Sequence, residues 1–408
     1  MWDRYRALFS VPEVRATLLA SIPGRLPIGI AGFAILLLTQ TKTGSFATAG
    51  TASALYVLGL ATVAPLLGRT IDRSGPLNVL RICALVYPAM MIALVALISM
   101  RAHPLAIALC AYIAGAALPP ITICMRTLYP RVLADAALLQ TAFSVDSVVV
   151  ESVFVIGPAL VAFFLSAGLP EGAVLLAAVC GFAGTLWFMR VPPIRQWQVR
   201  AREVGAATHI FGTQGMLILL AANLFYSVAF GLYEVAVTAW ATRAGMPSVA
   251  GMALALASLG SAFGALAYGA RHWQASLKRQ FLLALVAMAA GSLVIAPTNN
   301  LYLFLLANLI AGAPMASVIA TQSLLLSRIA PKGMLAESFT WGGTCLLGGI
   351  SGGLALGGWL AEVSSPAWIF VAAASVTGIA ALIACAIPRA GTLEVADTHV
   401  ENNKHSIS

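Results

Sequence analysis

Charge is what this chain of 408 residues has least of: 9% of its positions are Asp, Glu, Lys or Arg, and only 14 are acidic. With 60% hydrophobic residues and a mean hydropathy of +0.93, that scarcity excludes a water-soluble domain of this length. Histidine is equally sparse. His103, His209, His272, His399 and His405 all fall in predicted loops or tails, which argues against a metal-dependent membrane enzyme. The six cysteines (Cys83, Cys110, Cys124, Cys180, Cys345, Cys385) sit in predicted spans without CxxC spacing or histidine neighbours, so neither a zinc site nor a disulfide framework is expected. A Walker motif and any cofactor fingerprint are missing, so no cofactor is expected and an ion gradient, not ATP, is the expected energy source. Nothing at the N-terminus reads as a cleaved signal, because Met1 to Arg15 is short, charged and mixed.

What is present is apolar sequence in runs of roughly 20 residues, each long enough as a helix to cross a hydrocarbon core of about 30 Å. Twelve such runs are predicted, near 17–38, 47–67, 79–99, 105–127, 141–166 and 172–189, then 213–241, 249–270, 280–297, 301–326, 339–361 and 367–387. The expected fold class is an all-α membrane protein of twelve transmembrane helices. The basic residues alternate between its two sides. With the N-terminus inside, nineteen of the 23 fall on cytoplasmic segments; Lys42, Arg101 and Arg243 fall on the opposite side, and Arg25 within a span. The positive-inside rule then predicts two cytoplasmic termini in a bacterial inner membrane. The net charge of +9 therefore reports topology and not a nucleic-acid partner.

The chain also repeats itself. Ala49-Gly50, Leu58-Gly59 and Gly68 fall on Ala250-Gly251, Leu259-Gly260 and Gly269 at an offset of 201. Ala114-Gly115-Ala116, Arg131, Leu138 and Gln140 fall on Ala311-Gly312-Ala313, Arg328, Leu335 and Glu337 at an offset of 197. Two six-helix halves are expected at 1–190 and 213–388, joined by a polar linker at 191–212 and followed by a polar tail at 389–408.

Gly68-Arg69-Thr70-Ile71-Asp72-Arg73-Ser74-Gly75, after the second run, resembles the G-x-x-x-D-R-x-G loop signature of the major facilitator family. The two basic residues that usually follow are replaced by Pro76 and Leu77. The resemblance covers residues 1 to 390 and implies two pseudo-symmetric halves that admit substrate near the midplane. Independently of the family, Gly75 supplies turn freedom, and Asp72 and Arg73 can lock helix ends by charge-assisted hydrogen bonds. Gly68, Asp72, Arg73 and Gly75 are thus expected to form a conformational latch.

Charges inside spans are costly and invite a functional reading. Glu151 lies near the centre of the fifth run, with Asp146 about 140° round the helix and Glu234 in the seventh. These three are the candidate proton-coupling acids, Glu151 first. Just beyond it, Gly157-Pro158 resembles part of the signature of drug-exporting family members, and Pro158 is expected to bend the helix. Asn223, Tyr226, Phe230, Glu234 and Val237 follow helical spacing, as do Asn308, Gly312, Met315 and Gln322. Either stripe can wall a cavity or bond between helices. Arg25, between Gly24 and Leu26-Pro27, can pair with an acid or bind an anionic substrate. Gly348, Gly349, Gly352, Gly353, Gly357 and Gly358 permit close packing in the eleventh run.

The function expected is proton-coupled export of a small organic molecule, a drug or metabolite, by a monomer in the lipid bilayer. Proton-coupled uptake is the alternative, with a membrane receptor or enzyme less favoured. Nucleic acid is not an expected partner.

Overall fold

The computed structural model describes residues 2–197, 210, 213–246 and 248–388. Helices account for all of its regular structure, with no strand among the described residues. The first half contains Trp2–Ser10 (α1), Pro12–Thr43 (α2), Phe46–Ser74 (α3), Pro76–Ser99 (α4), Pro104–Ala116 (α5), Ile121–Val132 (α6), Ala136–Ser166 (α7), Pro170–Arg190 (α8) and Pro192–Arg195 (α9). The second contains Gln214–Arg243 (α10), Ser248–Ala270 (α11), Leu277–Ile295 (α12), Leu301–Ile329 (α13), Leu335–Val363 (α14) and Pro366–Cys385 (α15). Of the expected linker, residues 198–209, 211 and 212 lie outside the described residues, as does the tail at 389–408.

Twelve segments are long and apolar enough to cross a membrane. One of them, Pro104–Val132, is two helices, because Pro119-Pro120 removes two successive backbone donors and ends α5 before α6 begins. The signature expected in a loop is helical as far as Ser74. Only Gly75 lies outside the helices, at a φ of +80°, so a single left-handed residue turns α3 into α4.

The two halves repeat one packing scheme. In the first, α3 packs on α5, α2 on α8 and α4 on α8; in the second, α11 packs on α13, α10 on α15 and α12 on α15. The contacts repeat residue by residue. A side chain on Gly59 would strike the backbone of Tyr112, and one on Gly115 the backbone of Tyr56. Shifted by 201 and 197, these become Gly260 against Leu309 and Gly312 against Ala257, again backbone contacts. Without a hydrophobic driving force between helices in lipid, such close approach is what holds spans together. Of the matching small residues seen in sequence, Gly59, Gly115, Gly260 and Gly312 are therefore packing seams of the repeat, whereas Gly50 and Gly251 have no neighbour within 4 Å of an added side chain.

Between the halves the contacts cross over: α3 meets α14, and α7 meets α11 and α13. They are concentrated at the end of the molecule that carries α1, α9 and residue 388, called here the terminal face. Eight successive residues of α7, Gln140 to Ser147, are buried there, as are five of α14, Ala336 to Thr340. Farther along, Phe154, Val155 and Ile156 are all exposed, as are Leu354, Ala355 and Leu356. Three consecutive helical positions span about 200°, too wide for one lipid-facing stripe. The halves are therefore joined at the terminal face and separated by a cleft on the opposite side.

Candidate functional site

The terminal face is closed by side chains that recognise the backbone of the opposite half. Helix α14 begins at Leu335 with no side-chain cap of its own from Met334. Asp72, near the end of α3, supplies one across the interface: its Oδ1 accepts from the Ala336 N–H at 3.0 Å and its Oδ2 from the Glu337 N–H at 2.9 Å. A carboxylate at a helix N-terminus meets both orphan donors and the positive end of the helix dipole. Arg69, one turn earlier, donates to Glu337 Oε1 from Nη2 at 2.7 Å and from Nε at 3.2 Å. The space is tight, since a side chain on Gly68 would come within 2.7 Å of Thr340 Oγ1. Gly68 and Asp72 thus lie at the contact itself, Gly75 forms the turn behind it, and Arg73 points outward, exposed.

The α7–α11 side closes without an ion pair among the described residues, by hydrogen bonds from neutral side chains of α7 and α1 and from the Arg4 guanidinium, whose Nη1 donates to the Arg271 carbonyl at 3.0 Å. Gln140 Nε2 donates to the Tyr268 carbonyl at 2.8 Å and Thr141 Oγ1 to the Gly269 carbonyl at 2.9 Å, while Tyr5 on α1 donates to the Leu266 carbonyl at 2.6 Å. Phe143 and Phe339 meet between the two sides with ring centroids 6.1 Å apart.

Deeper in the first half, Asp146 is held by two arginines. Arg25 Nη2 lies 2.7 Å from Oδ1 and Arg126 Nε 2.8 Å from Oδ2, with the Tyr129 hydroxyl 3.4 Å from Oδ1. Arg25 and Asp146 are buried and Arg126 is partly exposed, so two guanidinium groups share one carboxylate and the cluster carries a net positive charge. The Nε and Nη1 atoms of Arg25 find no hydrogen-bond acceptor among the described residues. Arg126, expected at the membrane surface by its place at the end of a run, is inside α6 and belongs to this cluster.

Glu151 stands apart from that cluster, where the joined part of the molecule gives way to the cleft. Its Oε1 accepts from Ser261 Oγ at 3.0 Å, and the same Ser261 oxygen accepts from the Ala316 N–H at 3.0 Å. A single carboxylate on α7 is thereby tied to both α11 and α13 of the other half. Thr344 makes the matching tie on the other side of the cleft floor, donating to the Ala61 carbonyl at 2.9 Å.

The polar stripes of α10 and α13 bond to neighbouring helices instead of facing open space in this conformation. Tyr226 donates to Gln322, Tyr233 to Asn308 at 2.5 Å, and Asn223 Nδ2 to the Gly342 carbonyl at 2.7 Å. Asn223, Tyr226 and Asn308 are fully enclosed and Gln322 nearly so. Glu234 is the exception on its stripe: it is exposed and lines a pocket of about 360 Å³ with Thr238, Thr242 and Arg243 between α10 and α14. At the Gly157-Pro158 pair, α7 remains helical through Pro158, and Gly157 backs directly onto Gly29 of α2.

Sequence reasoning missed several participants, among them Arg69, Glu337 and Ser261. Arg69 was an unspecified position of the signature, Glu337 appeared only as the repeat partner of Gln140, and Ser261 is one of many serines in apolar helices. The repeat offset that aligned Gln140 with Glu337 was the available signal, because it puts both at corresponding places on the interface.

Residues 17–276 match the profile of the Major Facilitator Superfamily. Among solved structures, the chain is similar to a bacterial homologue of the iron transporter ferroportin in an outward-facing state, at TM-score 0.77 and 14% identity over 91% of this chain and 98% of that one. It is similar to the human organic anion transporter TETRAN at TM-score 0.72 and 15% identity, covering 91% and 99% of the two chains. A proton:xylose symporter gives TM-score 0.73 and 12% identity over 92% and 96%. No curated protein matches the chain in sequence.

Proposed function

The chain belongs to the Major Facilitator Superfamily, a family of membrane transporters, and from that premise we propose that it exports a small organic molecule in exchange for protons by alternating access. The observation that carries this proposal is Glu151, a mid-span carboxylate at the cleft floor bonded to the opposite half. With both termini in the cytoplasm of a bacterial inner membrane, the terminal face is the cytoplasmic one and the cleft opens outward, where protons enter. An ionised carboxylate in a span is costly. Protonation removes that cost and weakens the charge-assisted bond from Ser261, so proton binding and the tie between the halves are linked. Asp146 has a different part, because two guanidinium groups already hold it; it becomes a proton site only when those pairs open. Glu234 offers a second acid to cargo entering the cleft.

Replacing Glu151 by Gln keeps the shape and fixes a neutral state. Comparing exported and retained small molecules by mass spectrometry, in cells with and without the protein, identifies the cargo. In vesicles loaded with that cargo, Glu151→Gln abolishes accumulation driven by a pH gradient while cargo exchange continues. Undiminished gradient-driven transport in this variant moves the coupling role away from Glu151.

A further inference from the structure

The two halves differ on their lipid-facing sides. In the first, α3 and α4 are joined by Gly75 alone and pack against each other as well as on α5. In the second, the six residues Arg271 to Ser276 separate α11 from α12. Both helices pack on α13 but barely touch each other. The result is a groove of about 720 Å³ floored by α13, with no counterpart in the packing of the first half. Its walls are small and apolar: Ala267, Ala284, Ala287, Ala290, Gly291 and Val294. Exposed Leu283 and Ile310 also line it, which places its mouth toward lipid. From Leu283 to Val294 it runs roughly 16 Å, about half of a hydrocarbon core of about 30 Å and so the depth of one leaflet.

Only the terminal-face end is polar. There Tyr268 donates to Gln280 Oε1 at 2.7 Å, and the exposed Arg271 guanidinium lies 5.2 Å from the centroid of the Trp273 ring. No acidic residue occurs between Glu234 and Glu337 in the sequence, so these three helices provide no internal partner for that cation. An arginine on an indole at the level where spans leave the membrane is placed to meet a lipid phosphate.

We propose that this groove holds an anionic phospholipid of the terminal-face leaflet, with one acyl chain along α13 and the phosphate on Arg271. The site touches the closed face directly. The Arg271 carbonyl accepts from Arg4 Nη1 at 3.0 Å and from Gln140 Nε2 at 3.5 Å, so a headgroup that orders this loop also steadies the α7–α11 closure.

The test is native mass spectrometry of the purified full chain titrated with phosphatidylglycerol or phosphatidylcholine of identical chains. The wild type retains phosphatidylglycerol about five-fold better, the preference one basic residue at a membrane surface confers. Arg271→Gln brings the two lipids to parity. Ala287→Phe, which fills the groove, lowers retention of both without changing their ratio. A five-fold preference that survives Arg271→Gln, or retention of both lipids unchanged by Ala287→Phe, overturns the assignment. So does finding that the exported cargo, once identified, displaces the lipid competitively, since the groove is then a substrate path.

Discussion

The terminal face is closed twice, by α3 against α14 and by α11 against α7, at corresponding places of the two halves. Gly68 and Gly269 correspond in the repeat, and each backs onto the opposite half, the first onto Thr340 and the second onto Ser144. Beyond that shared glycine the chemistry diverges. Glu337 takes an arginine from across the interface, while its counterpart Gln140 donates to a backbone carbonyl. Asp72 caps a helix of the other half, while the residue at the corresponding place, Trp273, belongs to the lipid-facing loop and α7 is capped by its own Asp135. One geometry is therefore held once by a carboxylate cap with an ion pair and once by hydrogen bonds to backbone carbonyls. If the halves separate at both places together, the α3–α14 side is expected to contribute the larger share of the free energy that holds the face shut.

That difference can be broken one bond at a time. Asp72→Asn has the largest expected effect, because it removes the charge and one of two acceptors from a pair of backbone donors. Losing such a cap costs about 2 kcal/mol, roughly a 30-fold shift toward the opened face. Hydrogen exchange at Ala336 and Glu337 rises accordingly, transport falls, and membrane insertion is normal. Unchanged exchange at those two amides means that the carboxylate is only solvated surface.

The ion pair ranks next, and its two partners are unequal. The Arg69 side chain is 46% exposed and that of Glu337 only 4%. Removing the arginine strands an enclosed carboxylate, whereas removing the glutamate frees an arginine that water can reach. Arg69→Gln therefore opens the face roughly ten-fold, between the effects of surface and buried pairs, and Glu337→Gln opens it less. Added salt narrows the gap between wild type and Arg69→Gln. Equal effects of the two substitutions contradict the burial asymmetry.

Where the sequence was legible follows from the range of each signal. Twelve spans could be read because a hydrophobic run carries its own length, and the repeat could be read because two offsets align small residues, of which Gly59, Gly115, Gly260 and Gly312 are packing seams. The break at Pro119-Pro120 was not read, because the hydropathy around it is that of one continuous span. Partners across the interface were not legible: Arg69 and Glu337 are 268 positions apart, and nothing local specifies their docking. Helical spacing correctly grouped Asn223, Tyr226 and Glu234 on one helix. It could not tell which of them meets a neighbouring helix and which meets open space, since both surroundings suit the same residue types. Asp72 was found through a motif, yet its acceptor role depends on where α14 begins, which only the assembled halves determine.

On the neutral side the effects are smaller and insensitive to salt. Gln140→Leu removes the donor to Tyr268 and leaves that carbonyl to the Trp273 indole N–H and the Arg271 N–H, at about 1 kcal/mol or roughly five-fold. Its response in low and high salt is the same, in contrast to Arg69→Gln. A salt-dependent effect at Gln140 would show that the two closures are not chemically distinct.

Tyr5→Phe is expected to be the smallest and the most informative about how the two sides move. The ring is kept and the hydroxyl bond to the Leu266 carbonyl is lost, so the face opens by roughly three-fold, at the low end for a single hydrogen bond. The Tyr5 bond to the Leu266 carbonyl lies on the α11 side. If the halves rock as rigid bodies, opening is one event, and the amides of Ala336 and Glu337 exchange faster in Tyr5→Phe by the same three-fold factor as those at the end of α11. The Asp72→Asn/Tyr5→Phe pair then multiplies to about 90-fold, because the two bonds share no partner. If the closures open separately, Tyr5→Phe changes exchange only at the end of α11, and Asp72→Asn only at the start of α14. That pattern would replace rocking with two independent gates, the charged one opening more rarely than the neutral one.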